Sequence, residues 1–180
     1  LSSVYLLGSY RRTGNWAAAD EVYRFLMANP PERFWQAVVE RYYAETLIAR
    51  GLPAGDALDR AETLALQTRH ALISRQINGW RGEAALRAGD YQAAQRWFEE
   101  YLRLARQAGS TDATVAQGGL ARALAHLGEH ERAREIADEL DSDSINTAEV
   151  YHIIGDKDKA RETAIAAYKA AWADGPPYAW

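Results

Sequence analysis

Cysteine is absent from this 180-residue chain, which excludes disulfides and thiolate metal sites and fits a reducing, cytoplasmic setting. Proline occurs only five times, so few positions interrupt regular structure. No apolar stretch approaches the roughly 20 residues that cross a bilayer, and no signal-peptide succession opens the chain, so no membrane partner is expected. Runs of one charge are also missing. The 21 basic and 25 acidic side chains give a formal charge of −4, spread without the basic stripe of a nucleic-acid binder, so no nucleic-acid partner is expected. Phosphate loops, nucleophile elbows and dinucleotide glycine motifs do not occur, and the scattered serines lack a base. No catalytic residue and no cofactor is expected, and the chain reads as a non-enzyme.

What is present is apolar material, 48% of the residues with 11% aromatics, enough to bury a sizeable core. A short phrase organises it: a glycine, an aromatic or similar residue two places on, an alanine five on, and a further apolar residue nine on. It reads Gly14-Trp16-Ala19-Tyr23, Gly89-Tyr91-Ala94-Phe98, Gly128-His130-Ala133-Ala137 and Gly155-Lys157-Ala160-Ala164. A looser copy at Gly51 carries one extra residue in Leu52-Pro53-Ala54-Gly55 and moves the alanines to Ala57 and Ala61. Repetition at this scale signals a stacked array.

The marker glycines lie 37, 38, 39 and 27 residues apart, a length that fits two short helices and two turns. Apolar residues recur at helical spacing around them, as in Leu120, Ala121, Leu124 and Leu127. The spacing predicts helices over 2–12, 16–29, 32–50, 55–68, 70–88, 91–108, 112–127, 130–140, 144–154 and 157–173. They group into units of about 1–30, 31–69, 70–109, 110–142 and 143–175. Each glycine sits where a helix must stop, because a residue without Cβ takes the left-handed conformation that closes a helix end. Each alanine lets two helices cross closely. The abrupt start at Leu1 and the end at Tyr178-Ala179-Trp180 lead us to expect a fragment of a longer protein, with unusual natural termini as the alternative.

The pattern resembles the tetratricopeptide repeat. Gly82 through Gly89-Asp90-Tyr91 to Ala94 and Phe98 matches it best, Leu7-Gly8 resembles its leucine-glycine pair, and Pro30-Pro31 resembles its closing proline. The longer spacings are similar to the irregular repeat arrays of large bacterial signalling ATPases and regulators. The resemblance implies an all-α, right-handed superhelical solenoid of about five antiparallel hairpins, a single repeat domain acting as a protein or peptide scaffold. A homodimer through exposed terminal repeats is the alternative.

In that family the first helix of each unit lines the concave face. The resemblance places Arg41, Tyr42 and Glu45 there, then Trp80, Glu83 and Arg87, then Arg122 and His126. Arginines would hold a peptide's carboxylates and aromatics its apolar side chains; the plainer reading is core aromatics beneath a solvated charged face. The lysine and asparagine clamp of chaperone-tail binders is absent, since its positions hold Arg41 and Glu45, or Gly79 and Glu83.

Metal chemistry lacks a complete ligand set. His126 and His130 have metal-pair spacing, but Gly128 between them ends a helix. Asp141-Ser142-Asp143-Ser144-Ile145 starts like a calcium loop and then lacks its glycine and closing glutamate, so no metal is expected. Asp156 and Asp158 read as helix-opening carboxylates, and Lys157, Lys159 and Lys169, the chain's only lysines, as solubilising charges. No aromatic lies between Leu102 and Val150, so the fourth hairpin should be the softest. There Gly118-Gly119 is expected to let a partner or neighbouring helix approach, and alanine at both positions to weaken partner binding while raising stability.

Overall fold

Helices form where apolar positions recur at helical spacing, some of them behind a capping side chain. The computed structural model describes residues 2–110, 113–140 and 144–173. Among these it holds ten α-helices and no strand: α1 (Ser2–Thr13), α2 (Trp16–Ala28), α3 (Arg33–Ala49), α4 (Gly55–Gln67), α5 (Ala71–Arg87), α6 (Tyr91–Gln107), α7 (Thr114–His126), α8 (His130–Glu139), α9 (Ile145–Ile153) and α10 (Lys157–Ala173). Each begins and ends within two residues of the span the sequence predicts. Residues 141–143, most of the calcium-like stretch, lie outside the described residues.

Caps explain several starts. The Asn15 side chain accepts from the Ala18 amide at 3.3 Å, Asp90 from Ala93 at 3.0 Å, and Asp156 from Lys159 at 3.2 Å, each satisfying an amide that the first helical turn leaves open. The stops are equally local. The marker glycines 14, 51, 89, 128 and 155 all take positive φ, between 69° and 86°. At Gly51 the closing bonds run from the Leu52 amide to the Leu47 carbonyl and from Gly51 to Ile48, the paired bonds of a Schellman end.

One helix ends the same way without a glycine. At the end of α4, His70 donates to Ala65 and Arg69 to Leu66, with Arg69 at φ 54°. A residue with a Cβ is strained there by about 1–2 kcal/mol, and glycine relieves this while losing some of the gain to chain entropy. Arg69→Gly should therefore raise stability by about 0.5–1 kcal/mol in thermal unfolding. A drop would show that the arginine side chain holds the turn.

The chain divides into two compact units, residues 1–89 and 90–180. In the first, α1 packs on α2 and α3, and α3 packs on α2, α4 and α5. Its core includes Val4, Leu26, Val39, Ile48, Leu58 and Ile77, with the phrase alanines Ala57 and Ala61 fully enclosed. Tyr23 stacks on Tyr43 at 3.6 Å between ring centres, so the larger residue of the first phrase bridges α2 and α3. In the second unit α7 packs on α6, α8 and α9, and α9 on α10.

Phe98, the bulky residue of the phrase in α6, is 1% exposed and lies against Gly119 of α7. A Cβ at 119 would stand 2.3 Å from Phe98 Cζ, whereas one at 118 would make an ordinary 3.5 Å contact with Asn146 Cβ. The two glycines thus differ. Gly119 admits a neighbouring ring, and the expectation that alanine at both positions raises stability is corrected at 119.

Candidate functional site

Two carboxylates on α3 are almost wholly enclosed, Glu40 at 1% and Glu45 at 2% exposed. Enclosing a charged carboxylate costs several kcal/mol unless it is paired and hydrogen-bonded. Glu45 is met by Arg41, one turn earlier on α3, and by Arg11 of α1 at 3.4 Å. The Arg41 guanidinium also lies over the Tyr42 ring, 4.2 Å from its centre, a favourable placement for a cation. Burial pushes the Glu45 carboxyl above its usual range, against the pull of Arg41 and Arg11.

Glu40 faces a different helix. Arg60 of α4 holds both its oxygens, Nε to Oε1 at 2.9 Å and Nη2 to Oε2 at 3.1 Å, the fork geometry that makes arginine pairs strong. The Tyr23 hydroxyl donates to the same carboxylate at 3.1 Å. Burial, then the Glu40 charge, lifts the Tyr23 phenol above its ordinary value. Through these two carboxylates α3 is tied to α1, α2 and α4.

The expected strip is therefore brought together only in part. Arg41, Tyr42 and Glu45 do meet, but they engage one another, and Arg41 is left 13% exposed with its Nε buried and unbonded. On α5, Trp80 packs half-buried against the core of the first unit, and Glu83 is half-buried. Arg87 is exposed beside a cavity of about 280 Å³ lined by Ile48, Leu52, Pro53, Ala54 and Ala84. The extra residue in the Gly51 turn supplies part of that lining. In the second unit Arg122 of α7 pairs with Glu149 of α9 at 3.4 Å. His126 stacks on Tyr91, ring centres 4.1 Å apart and nearly parallel, so its ring is committed to an aromatic neighbour on α6.

The lysines depart from their expected role at one position. Lys159 bonds to Asp138 at 2.8 Å and lies over the Tyr151 ring, whose hydroxyl donates to the same Asp138. The Lys159 ammonium, then the Tyr151 hydroxyl, holds the Asp138 carboxyl below its usual range, so this lysine fastens α10 to α8 and α9. Among the described residues no group of three or more histidines, cysteines or carboxylates could hold a metal ion, and no helix is long and apolar enough to cross a membrane.

Sequence reasoning missed Glu40 with Arg60, and Arg11 as the second partner of Glu45. It also missed a groove of about 690 Å³ in the second unit, lined by Arg96, Arg103 and Arg106 of α6, Leu120 of α7 and Arg132 of α8. The stripe of arginines at 96, 103 and 106 is readable in the sequence. Only the packing shows that it borders a cavity.

Residues 66–155 match the family of unknown function DUF5588, which covers half of the chain. Over 74 residues the chain is 42% identical to the uncharacterized protein C8orf76 homolog of Rattus norvegicus; the match covers 39% of this chain and 19% of that protein. The fold is similar to the crystal structure of a protein from Podosopora anserina, described as a kinesin light chain with nearly identical TPR-like repeats. That likeness has a TM-score of 0.65 and 16% sequence identity over 96% of this chain and 95% of the other. The architecture is thus an all-α, TPR-like repeat solenoid.

Proposed function

The chain belongs to the family of unknown function DUF5588, a membership that assigns no reaction, and from its repeat fold we propose that it is a peptide- or protein-binding scaffold, the regulatory arm of a larger cytoplasmic protein. TPR-like repeat folds serve generally as interaction scaffolds. The observation that carries the reading here is Arg87, exposed at the rim of an apolar cavity bounded by Ile48, Leu52 and Pro53. An apolar side chain fits the cavity while a carboxylate meets the guanidinium, an anchor and a polar contact side by side. Arg41, Tyr42 and Glu45 help to fix α3, which supplies Ile48 to the cavity.

The test is selection from a displayed peptide library on the whole chain, followed by fluorescence anisotropy. Arg87→Glu and Leu52→Asp, both at exposed positions, should each weaken the selected peptides by about 10-fold or more, the scale of a lost charge-assisted contact. Failure to enrich any peptide over an unrelated helical protein would overturn the scaffold reading. Tyr5, Leu6 and Phe25 of α1 and α2 are exposed apolar side chains, the feature that favours the second reading, self-association. Light scattering on the same sample separates the two, since a doubled mass abolished by Phe25→Asp would favour the dimer.

A further inference from the structure

We propose that the groove beside α6 is a second docking surface, on the other unit from Arg87, and that its occupant is an acidic peptide segment with apolar side chains at helical spacing. The proposal rests on the scaffold reading above and names a partner class for a different site.

Charge points to an acidic occupant. Among the described residues four guanidiniums, from Arg96, Arg103, Arg106 and Arg132, line the groove against two carboxylates, Glu99 and Glu100, in a chain whose formal charge is −4. The excess is locally positive where the whole is negative. Two of the four are already engaged: Glu100 accepts two bonds from Arg103 at 2.6 and 2.7 Å, and Arg132 pairs with Glu129. Arg96 and Arg106 are exposed and form no ion pair among the described residues. An acidic partner would complete them, and electrostatic complementarity of this kind sets both specificity and encounter rate.

The floor decides between acidic peptide and nucleic acid. Leu120 is buried and Leu102 half-buried beneath the arginines, and among the described residues no aromatic side chain lines the groove. Single-stranded nucleic acids are gripped by aromatic platforms on which their bases stack, and the floor described here offers apolar contacts of side-chain size in their place. Leucine- or isoleucine-sized side chains fit the floor. From Arg96 to Arg106 the helix rises about 15 Å, the length of about ten residues of a partner helix.

The probe is a fluorescein-labelled peptide of about twelve residues, leucine at helical spacing and glutamate elsewhere, titrated with the whole chain by anisotropy. We expect saturable binding that weakens several-fold between about 50 and about 300 mM salt, as screening of exposed charges requires. Arg96→Glu with Arg106→Glu should weaken it by about 10-fold or more, with the far-ultraviolet circular dichroism unchanged. Arg12→Glu, at an exposed position of α1 outside both surfaces, should leave it unaltered. Unchanged affinity in the double charge reversal would overturn the groove, as would equal binding of a single-stranded oligonucleotide of the same charge. Library peptides that need Arg87 while the acidic peptide fails to bind would sink the groove alone and leave the scaffold reading standing.

Discussion

Gly119→Ala should lower the stability of the chain by about 2 kcal/mol, roughly 4–8 °C in Tm at this length. Alanine ordinarily gains about 1 kcal/mol over glycine inside a helix. Here the added Cβ would stand 2.3, 2.4 and 2.7 Å from three ring carbons of Phe98, separations far inside van der Waals contact. The ring is 1% exposed, with no solvent side to swing toward, so the core must deform. Overpacking of this severity costs about 3 kcal/mol, which outweighs the propensity gain. Gly118→Ala is the internal control: its Cβ meets only Asn146 and Leu140 side-chain atoms at 3.5 Å and beyond, so it should be neutral or stabilising. Urea denaturation of the two single variants gives the comparison, and Phe98→Leu combined with Gly119→Ala should recover part of the loss. If Gly119→Ala is as stable as the parent, the ring contact does not constrain the helix pair.

The legible part of this fold is the part written locally. Glycine in the left-handed conformation at 14, 51, 89, 128 and 155, and capping by Asn15, Asp90 and Asp156, depend on a few neighbouring residues, so helix ends can be read from the chain. Phe98 shows the limit. The phrase marks it as a packing residue, but the partner it needs is Gly119, twenty-one residues on, and nothing local distinguishes Gly119 from Gly118. Glu40 and Glu45 show the same limit for charge. Glu45 reads as part of the concave strip and nothing in the sequence singles out Glu40; the partners that let both be enclosed, Arg60 and Arg11, arrive from other helices. The arginines at 96, 103 and 106 are visible as a stripe, yet whether a stripe faces water or borders a groove depends on where Leu120 and Arg132 come to lie. Spacing alone places Arg41 beside an aromatic and one turn from a carboxylate; its commitment to an enclosed Glu45 requires the packing of α1.

Arg41→Met should cost about 3 kcal/mol at neutral pH, the scale of a buried pair broken from one side, and the cost should depend on pH. The substitution keeps most of the side-chain volume and removes the charge nearest to a carboxylate that is 2% exposed. Arg11 remains at 3.4 Å, but one partner does not replace two, and breaking a buried pair from one side costs about 3–5 kcal/mol. Burial favours the neutral form of Glu45, so its folded-state pKa stands above the ordinary 4.5 even with Arg41 in place. Stability tied to a group raised in this way is fully present below about pH 4.5 and is lost as pH rises through the raised value. Removing Arg41 takes away the larger of the two charges that pull the value down, so it rises further and the loss deepens toward neutrality. Denaturation midpoints compared with the parent at about pH 4 and about pH 7.5 should show a small deficit at the lower pH and the full one at the higher. Adding Glu45→Gln to Arg41→Met removes the stranded charge and should restore most of the stability at about pH 7.5. A deficit that is the same at both pH values, and that Glu45→Gln leaves in place, would assign the role of Arg41 to packing over Tyr42 and remove charge from the account.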